Sequence, residues 1–433
     1  MTRLSAALSN ALQGRWPVFM CGFRPFFVLA AASAPLLIAI WLLALFGHLP
    51  AFSPPGGSLL WHGHELIFGF AGAAIAGFAL TAIPEFTGTP PIGARPLARL
   101  SLLWLLARLA YLAAGWWPEI GLWPAALINM LFWWRLVAQA APPAWRAPRH
   151  QHASFAWALG GLALLQAGFF LTLLLGGPAA DPGAWLRASV GAIMVLIVLA
   201  ASRVSMAVVN GLIEQGRPGE PAAPDPVYLA RLPRRKLAVF CIAACSAAEF
   251  GFGAGAITGW TALAASAAML NLLNDWHIGR ALFKRWALML YACYWLIALG
   301  YGAMGLAWLG LPWMPSAGRH LLMAGAMGLS IFTIMAIVGR IHSGLWLDRR
   351  VWLPITAIAL VLAALLRALA GLPAGQSWFM PLLMLSGGLW GACFLLFLAV
   401  TWPVLTGPRS DGQTGCAEPL ERQTGANDPA CRP

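Results

Sequence analysis

The sequence predicts an all-α membrane protein: a polytopic transmembrane helix bundle of about 12 helices, with both termini on the cytoplasmic side. Three observations predict it. Of 433 residues, 60% are hydrophobic and only 9% charged, and the mean hydropathy of +0.75 lies far above that of a soluble domain. The apolar residues gather into runs of the ~20 residues needed to cross a bilayer. The basic residues fall in alternate loops, as cytoplasmic loops do.

Runs broken by Pro, Gly and charge place spans at approximately 26–47, 61–84, 97–115, 119–141, 154–177, 186–208, 237–257, 259–276, 286–309, 319–341, 351–371 and 378–402. The division between the seventh and eighth rests on GFGAGAITG at 251–259. The first run leads through a proline-glycine turn into a second span, so it reads as a retained helix rather than a cleaved signal. Residues 1–404 form the membrane domain. The long loop 209–236 divides it into candidate halves, 1–208 and 237–404, with no evident sequence repeat between them. The tail 405–433 is polar, lacks apolar periodicity and is expected to be disordered.

Orientation follows from Arg95 and Arg99, Arg146 and Arg149, Arg231 to Lys236, Arg280 to Arg285, and Arg349 and Arg350, all on one side. These loops account for the formal net charge of +13, so the charge orients a membrane protein and does not point to nucleic acid. Seven cysteines are present without a CxxC pair. No metal-ligand spacing joins them, and they read as small apolar helix residues.

The eight histidines sort by face. His48, His62, His64 and His320 fall outside; His150, His152, His277 and His342 fall inside. His320 and His342 begin and end one helix, 22 residues and ~33 Å apart, so they cannot share a site. His64 and His320 each start a helix running inward, and two such helices can clamp a haem or metal between their imidazoles. His62 and His64 stand ~200° apart around a helix, so both cannot face one point. A lone histidine at a wet helix end is usually interfacial. WHGHE at 61–65 concentrates three ionisable groups at the mouth of an apolar run, which favours function. His150 and His152, in a basic loop, read as solvated.

Three charges lie deeper. Arg108 is expected to pair with Glu65, with Glu249 or with a haem propionate, as an unpaired guanidinium is costly there. Glu65 can orient an imidazole, and Glu65 and Glu249 can carry protons. Arg203 and Arg367 lie near helix ends and read as snorkelling anchors. Gly69, Gly72 and Gly77 allow close helix packing or approach of a flat macrocycle.

The sequences GFRPFF (22–27), WHGHELIFGFAGAAIAGFALTAIPEFTG (61–88), ARLA (107–110), SRV (202–204) and HLLMAGAMGLSIFTIMAIVGRIHSG (320–344) carry a resemblance. In this order they are similar to the motifs of the NnrS family of bacterial inner-membrane proteins. The resemblance implies haem and copper, a link to nitric oxide and denitrification, and His62, His64, His320 and His342 as ligands, with Arg108 at the cofactor. The chain departs from the family where histidines are expected in the fifth and ninth helices: Phe169 and Phe170 stand in the first, near Gln166, and Tyr291 in the second. Ser205 and Met206 follow the sixth-helix arginine, where the family has a proline.

The expected function is a haem-binding membrane protein, b-type, with copper as a second cofactor, that confers tolerance to nitric oxide. Two other classes fit twelve spans: a proton-coupled transporter using Arg108, Glu65 and Glu249, and an assembly factor holding haem or copper transiently. A repeat with a midplane cavity favours the transporter; a haem-sized slot near the outer face opposes it.

Overall fold

Chain dissolved in hydrocarbon must satisfy its backbone hydrogen bonds within each segment, which makes every span a helix. A computed structural model of the chain describes residues 16–148, 152–176, 181–211 and 227–416. It contains twelve long helices and, among the described residues, no strand. The first six are α1 (Phe23–Leu45), α2 (Ser58–Thr87), α3 (Ala94–Ala113), α4 (Pro118–Arg146), α5 (Ala153–Leu175) and α6 (Pro182–Val209). The second six are α7 (Leu232–Phe252), α8 (Ala256–Leu273), α9 (Arg285–Trp308), α10 (Pro315–Ile341), α11 (Trp352–Leu369) and α12 (Phe379–Thr406). Eleven are long and apolar enough to cross a membrane. The exception, α7, begins with Arg234, Arg235 and Lys236 and carries Glu249. The break expected within 251–259 falls between α7 and α8.

The packing groups the helices in fours. Within each set the first helix packs on the second and the third on the fourth, and consecutive sets meet where α4 packs on α5, α8 on α9 and α12 on α1. The second helices of the three sets, α2, α6 and α10, face one another around a central apolar cavity. The most apolar stretch of α2 is buried throughout. Helices α6 and α7, on either side of the 209–236 loop, pack directly together; residues 212–226 of that loop lie outside the described residues.

Helices α2 and α10 share an unusual local structure. Each opens with a short α-helical stretch ending in histidine, His64 or His320. Each then widens into a seven-residue π-helical segment, Glu65–Ala71 or Leu321–Met327, before returning to α-helix. The sequences match where this happens: His-x-Leu-x-x-Gly-x-x-Gly occupies both 64–72 and 320–328. Such π segments concentrate at functional sites.

The expectation of a disordered tail from 405 is corrected. Helix α12 continues to Thr406, and residues 407–416 fold back under the bundle. Arg24, fully buried at the start of α1, donates to Gly407 O at 2.5 Å, Pro17 O at 3.3 Å and Ser343 Oγ at 3.3 Å. Arg409 donates to His342 O, and Cys416 lies against Cys21 with 5.3 Å between their Cα atoms. A buried guanidinium needs acceptors, and the tail's carbonyl supplies one; apolar periodicity carries no trace of this. Residues 417–433 lie outside the described residues.

The two described ends therefore share one face, which the basic loops predict to be cytoplasmic. With that orientation, a reporter active only in the periplasm is expected to respond when fused after residue 55 and to stay silent after residue 146. The cytoplasm keeps thiols reduced, so alkylation of freshly denatured protein without reductant is expected to find Cys21 and Cys416 free. Periplasmic activity after 146, together with an unreactive cysteine pair, would invert the topology.

Candidate functional site

The structure separates the two histidines of WHGHE, and with them two sites. His64 is fully buried in a closed cluster built by the second to fifth helices. Its Nδ1 donates to Glu65 Oε1 at 3.0 Å, and its Nε2 accepts from the Gln166 amide at 3.4 Å. Phe169 stacks on the ring at 5.0 Å, while Phe170 and Tyr111 meet it edge-on. Both ring nitrogens are engaged and aromatic rings enclose the imidazole. No lone pair is left for a metal in this arrangement.

The same cluster resolves the partner of Arg108. Its guanidinium lies 3.2 Å from Glu65 Oε1 and donates to Asn129 Oδ1. Gln166 Nε2 donates to the same Asn129 oxygen at 3.2 Å, which links α3, α4 and α5 through one amide. Glycine at 69 makes the fit possible: a Cβ there would stand 2.7 Å from an Arg108 nitrogen. Glu65 is thus the buried acid that Arg108 requires. Glu249 lies elsewhere, between Arg319 at 2.7 Å and Arg187 at 3.2 Å. It anchors the beginning of α10 rather than serving Arg108.

The expectation that His64 and His320 share a site is corrected by the side of α2 each histidine occupies. His62, on the opposite side from His64, reaches a cleft that also receives His320. The cleft, with a free volume of about 60 Å³, lies between α1, α2, α10, α11 and α12 and is lined by Trp41, His62, Leu66, His320, Arg367 and Trp390 among others. Trp41 stacks on the His62 ring at 4.0 Å. His320 Nδ1 lies 2.8 Å from Ser316 O. A backbone carbonyl only accepts, so Nδ1 carries the proton and Nε2 keeps its lone pair, the arrangement that second-shell hydrogen bonds give to metal-binding imidazoles.

Arg367 was expected to snorkel. Instead it lines this cleft, half-buried, with Nη2 3.4 Å from Ser316 Oγ and Nη1 buried without a hydrogen-bond partner. His62 Nδ1 is likewise buried without one. Sequence reasoning missed Trp41, Ser316 and the two amides Asn129 and Gln166 as site residues. Asn129 and Gln166 did carry a signal, as uncharged polar groups inside apolar runs.

The remaining histidines are placed separately. His342 ends α10 at the face opposite His320, with its Nδ1 2.7 Å from Cys416 O and its Nε2 3.5 Å from Glu85. His152 is buried and stacks on Phe86 at 5.7 Å, so the expectation that it is solvated is corrected. His150 lies outside the described residues. Among the described residues no three His, Cys, Asp or Glu side chains converge to hold a metal ion.

Two substitutions test the Arg108 cluster. Glu65→Gln leaves a buried guanidinium without its counter-charge, and the expected loss is about 3–5 kcal/mol. Gly69→Ala drives a methyl group against that guanidinium, and about 1–3 kcal/mol is expected. Thermal unfolding in detergent reads both. Unchanged midpoints would show that Arg108 is satisfied in another way.

Among curated proteins, none matches the chain. The family model described as NnrS protein matches residues 17–409, which include both clusters and all twelve helices. The chain belongs to the NnrS family.

Proposed function

We propose that this protein binds a b-type haem in the cleft between His62 and His320 and protects against nitric oxide in a bacterial inner membrane. At family level, membership supports a membrane protein of the nitric oxide response. The observation that carries the haem reading is the cleft's donor set. His320 Nε2 keeps a lone pair, His62 lines the same cleft, and Arg367 brings a cation with an unsatisfied N–H. Two imidazoles and a cation suit a haem, whose iron takes axial nitrogen ligands and whose propionates carry negative charge. No Cys-x-x-Cys-His occurs in the sequence, so attachment is non-covalent.

In this reading His62 and His320 hold the group, and Trp41 packs the His62 ring. The Ser316 carbonyl keeps the proton on His320 Nδ1. Arg367 neutralises carboxylates and is itself held near Ser316. A bound haem would supply one-electron exchange. Nitric oxide is small and uncharged and dissolves in lipid, so it reaches an intramembrane cleft directly. Copper is not carried into the proposal, because no three-ligand cluster supports it among the described residues.

The transporter reading has one observation in its favour, the central cavity of about 60 Å³ between α2, α6 and α10. Ser330 is its only polar lining residue. Arg108, Glu65 and Glu249 lie outside it, engaged in ion pairs. No charged site for a coupled proton faces this cavity. An assembly factor differs in holding its cargo briefly, so a chromophore that survives purification separates it from a resident haem protein.

The visible spectrum of the purified, dithionite-reduced protein is the test. Wild type and His64→Ala are expected to show sharp Soret and α bands. His62→Ala and His320→Ala are expected to lose most of that absorbance and to grow poorly under nitric oxide. Full absorbance in both of the latter variants would refute the cleft as the haem site.

A further inference from the structure

A groove of about 1100 Å³, many times larger than the clefts above, runs along the bundle's outer surface between α5 and α7. These two helices each pack on α6 and barely meet one another, which leaves α6 as the floor. The floor is low because its residues are small: Ala188, Gly191 and Ala192, flanked by Ala243 and Ala247 of α7. The rims are aromatic and open. Trp157 is 69% exposed, Phe240 69% and Phe250 44%. On α7 the groove extends from Arg235 to Phe250, 15 residues or ~22 Å. That is most of a hydrocarbon core ~30 Å thick.

The charge at one end is asymmetric. Four basic residues open α7 and its approach. Asp275 takes Arg234 at 2.6 Å and Arg231 at 3.6 Å. Arg235 and Lys236 line the groove and have no acidic partner among the described residues, and no acidic residue lines the groove. Two unneutralised cations therefore stand where a long apolar trough meets the face to which the basic loops belong.

We infer that this groove is a binding site for an anionic phospholipid of that leaflet. Its acyl chains lie along α6, and its phosphate meets Arg235 and Lys236. Both halves of such a lipid find their match: apolar surface along the trough, and paired cations at the depth of the headgroup. A zwitterionic lipid fills the same trough but brings its own cation to that end. A second copy of the chain fits less well. A two-fold axis along the groove would set a second Arg235 and Lys236 at the same depth, facing the first pair.

Native mass spectrometry of the full chain in mild detergent tests this, with phosphatidylglycerol and phosphatidylcholine of identical acyl chains as probes. Phosphatidylglycerol is expected to be retained at least tenfold more strongly. The double variant Arg235→Gln/Lys236→Gln is expected to abolish that preference while still binding both lipids weakly. Arg280→Gln/Lys284→Gln, on the same face but outside the groove, is expected to change nothing. Ala247→Trp, which fills the floor, is expected to weaken both lipids, with unchanged circular dichroism reporting an intact fold. Equal retention of the two lipids by wild type would overturn the assignment. So would an equal loss from the Arg280/Lys284 control, which would mean general surface charge. A dimer that Ala247→Trp dissociates would identify a second copy as the occupant.

Discussion

The ion pair between Arg108 and Glu65 constrains the rest of the molecule. Two charges taken from water into hydrocarbon cost several kcal/mol each unless they meet. Here they meet across α3 and α2, and Asn129 of α4 takes another hydrogen bond from the guanidinium. Glu65 sits one residue after His64, so fixing its carboxylate fixes the rotation of α2. That rotation turns His64 toward Gln166, Phe169 and Phe170, and it leaves His62, ~200° away, facing the cleft of His320. One buried charge pair thereby decides which histidine is free to act as a ligand.

The fourfold grouping of helices explains why α2 and α10 look alike and yet do not share a pocket. Each carries His-x-Leu-x-x-Gly-x-x-Gly and a π segment directly after the histidine. Each histidine faces helices that follow it in the chain: α3 to α5 for His64, α11 and α12 for His320. A helix in the same position of each set turns the same face to its own neighbours. His62 breaks this pattern by reaching backward, toward α1 and α12, and so it enters the pocket that α10 serves.

The two clusters also differ in what remains available for chemistry. Around His64 both ring nitrogens are engaged and aromatic rings occupy the adjoining volume, although Glu65 Oε2, Arg108 Nε and Gln166 Oε1 are buried without hydrogen-bond partners. Phe169 and Phe170 stand where a histidine was expected, and they close the space such a histidine would use. Around His62 and His320 the polar groups are only partly matched, and there is empty volume beside them. A buried polar group left without a partner is costly. What distinguishes the His62 and His320 cleft is that its unpartnered groups adjoin open volume, whereas rings fill the space beside His64.

Much was determined by the sequence alone. Apolar run length fixed twelve helices, because in lipid no other structure satisfies the backbone. The alternation of basic loops implied one orientation. The need to neutralise Arg108 implied an acid, since no environment at that depth replaces one. Ionisable residues at WHGHE marked the helix end at which the structure buries His64 and Glu65. What the sequence could not supply was rotation and long-range contact. Whether His62 or His64 faces His320 depends on how α2 turns, and that is set by Arg108 and Asn129 from other helices. Arg367 near a helix end looks like an anchor until α10 packs beside it. The tail looks disordered until Arg24, 383 residues away, takes its carbonyl. Hydropathy is a property of each segment by itself; the partner of a buried polar atom is a property of the assembled bundle, and only the tertiary structure decided it.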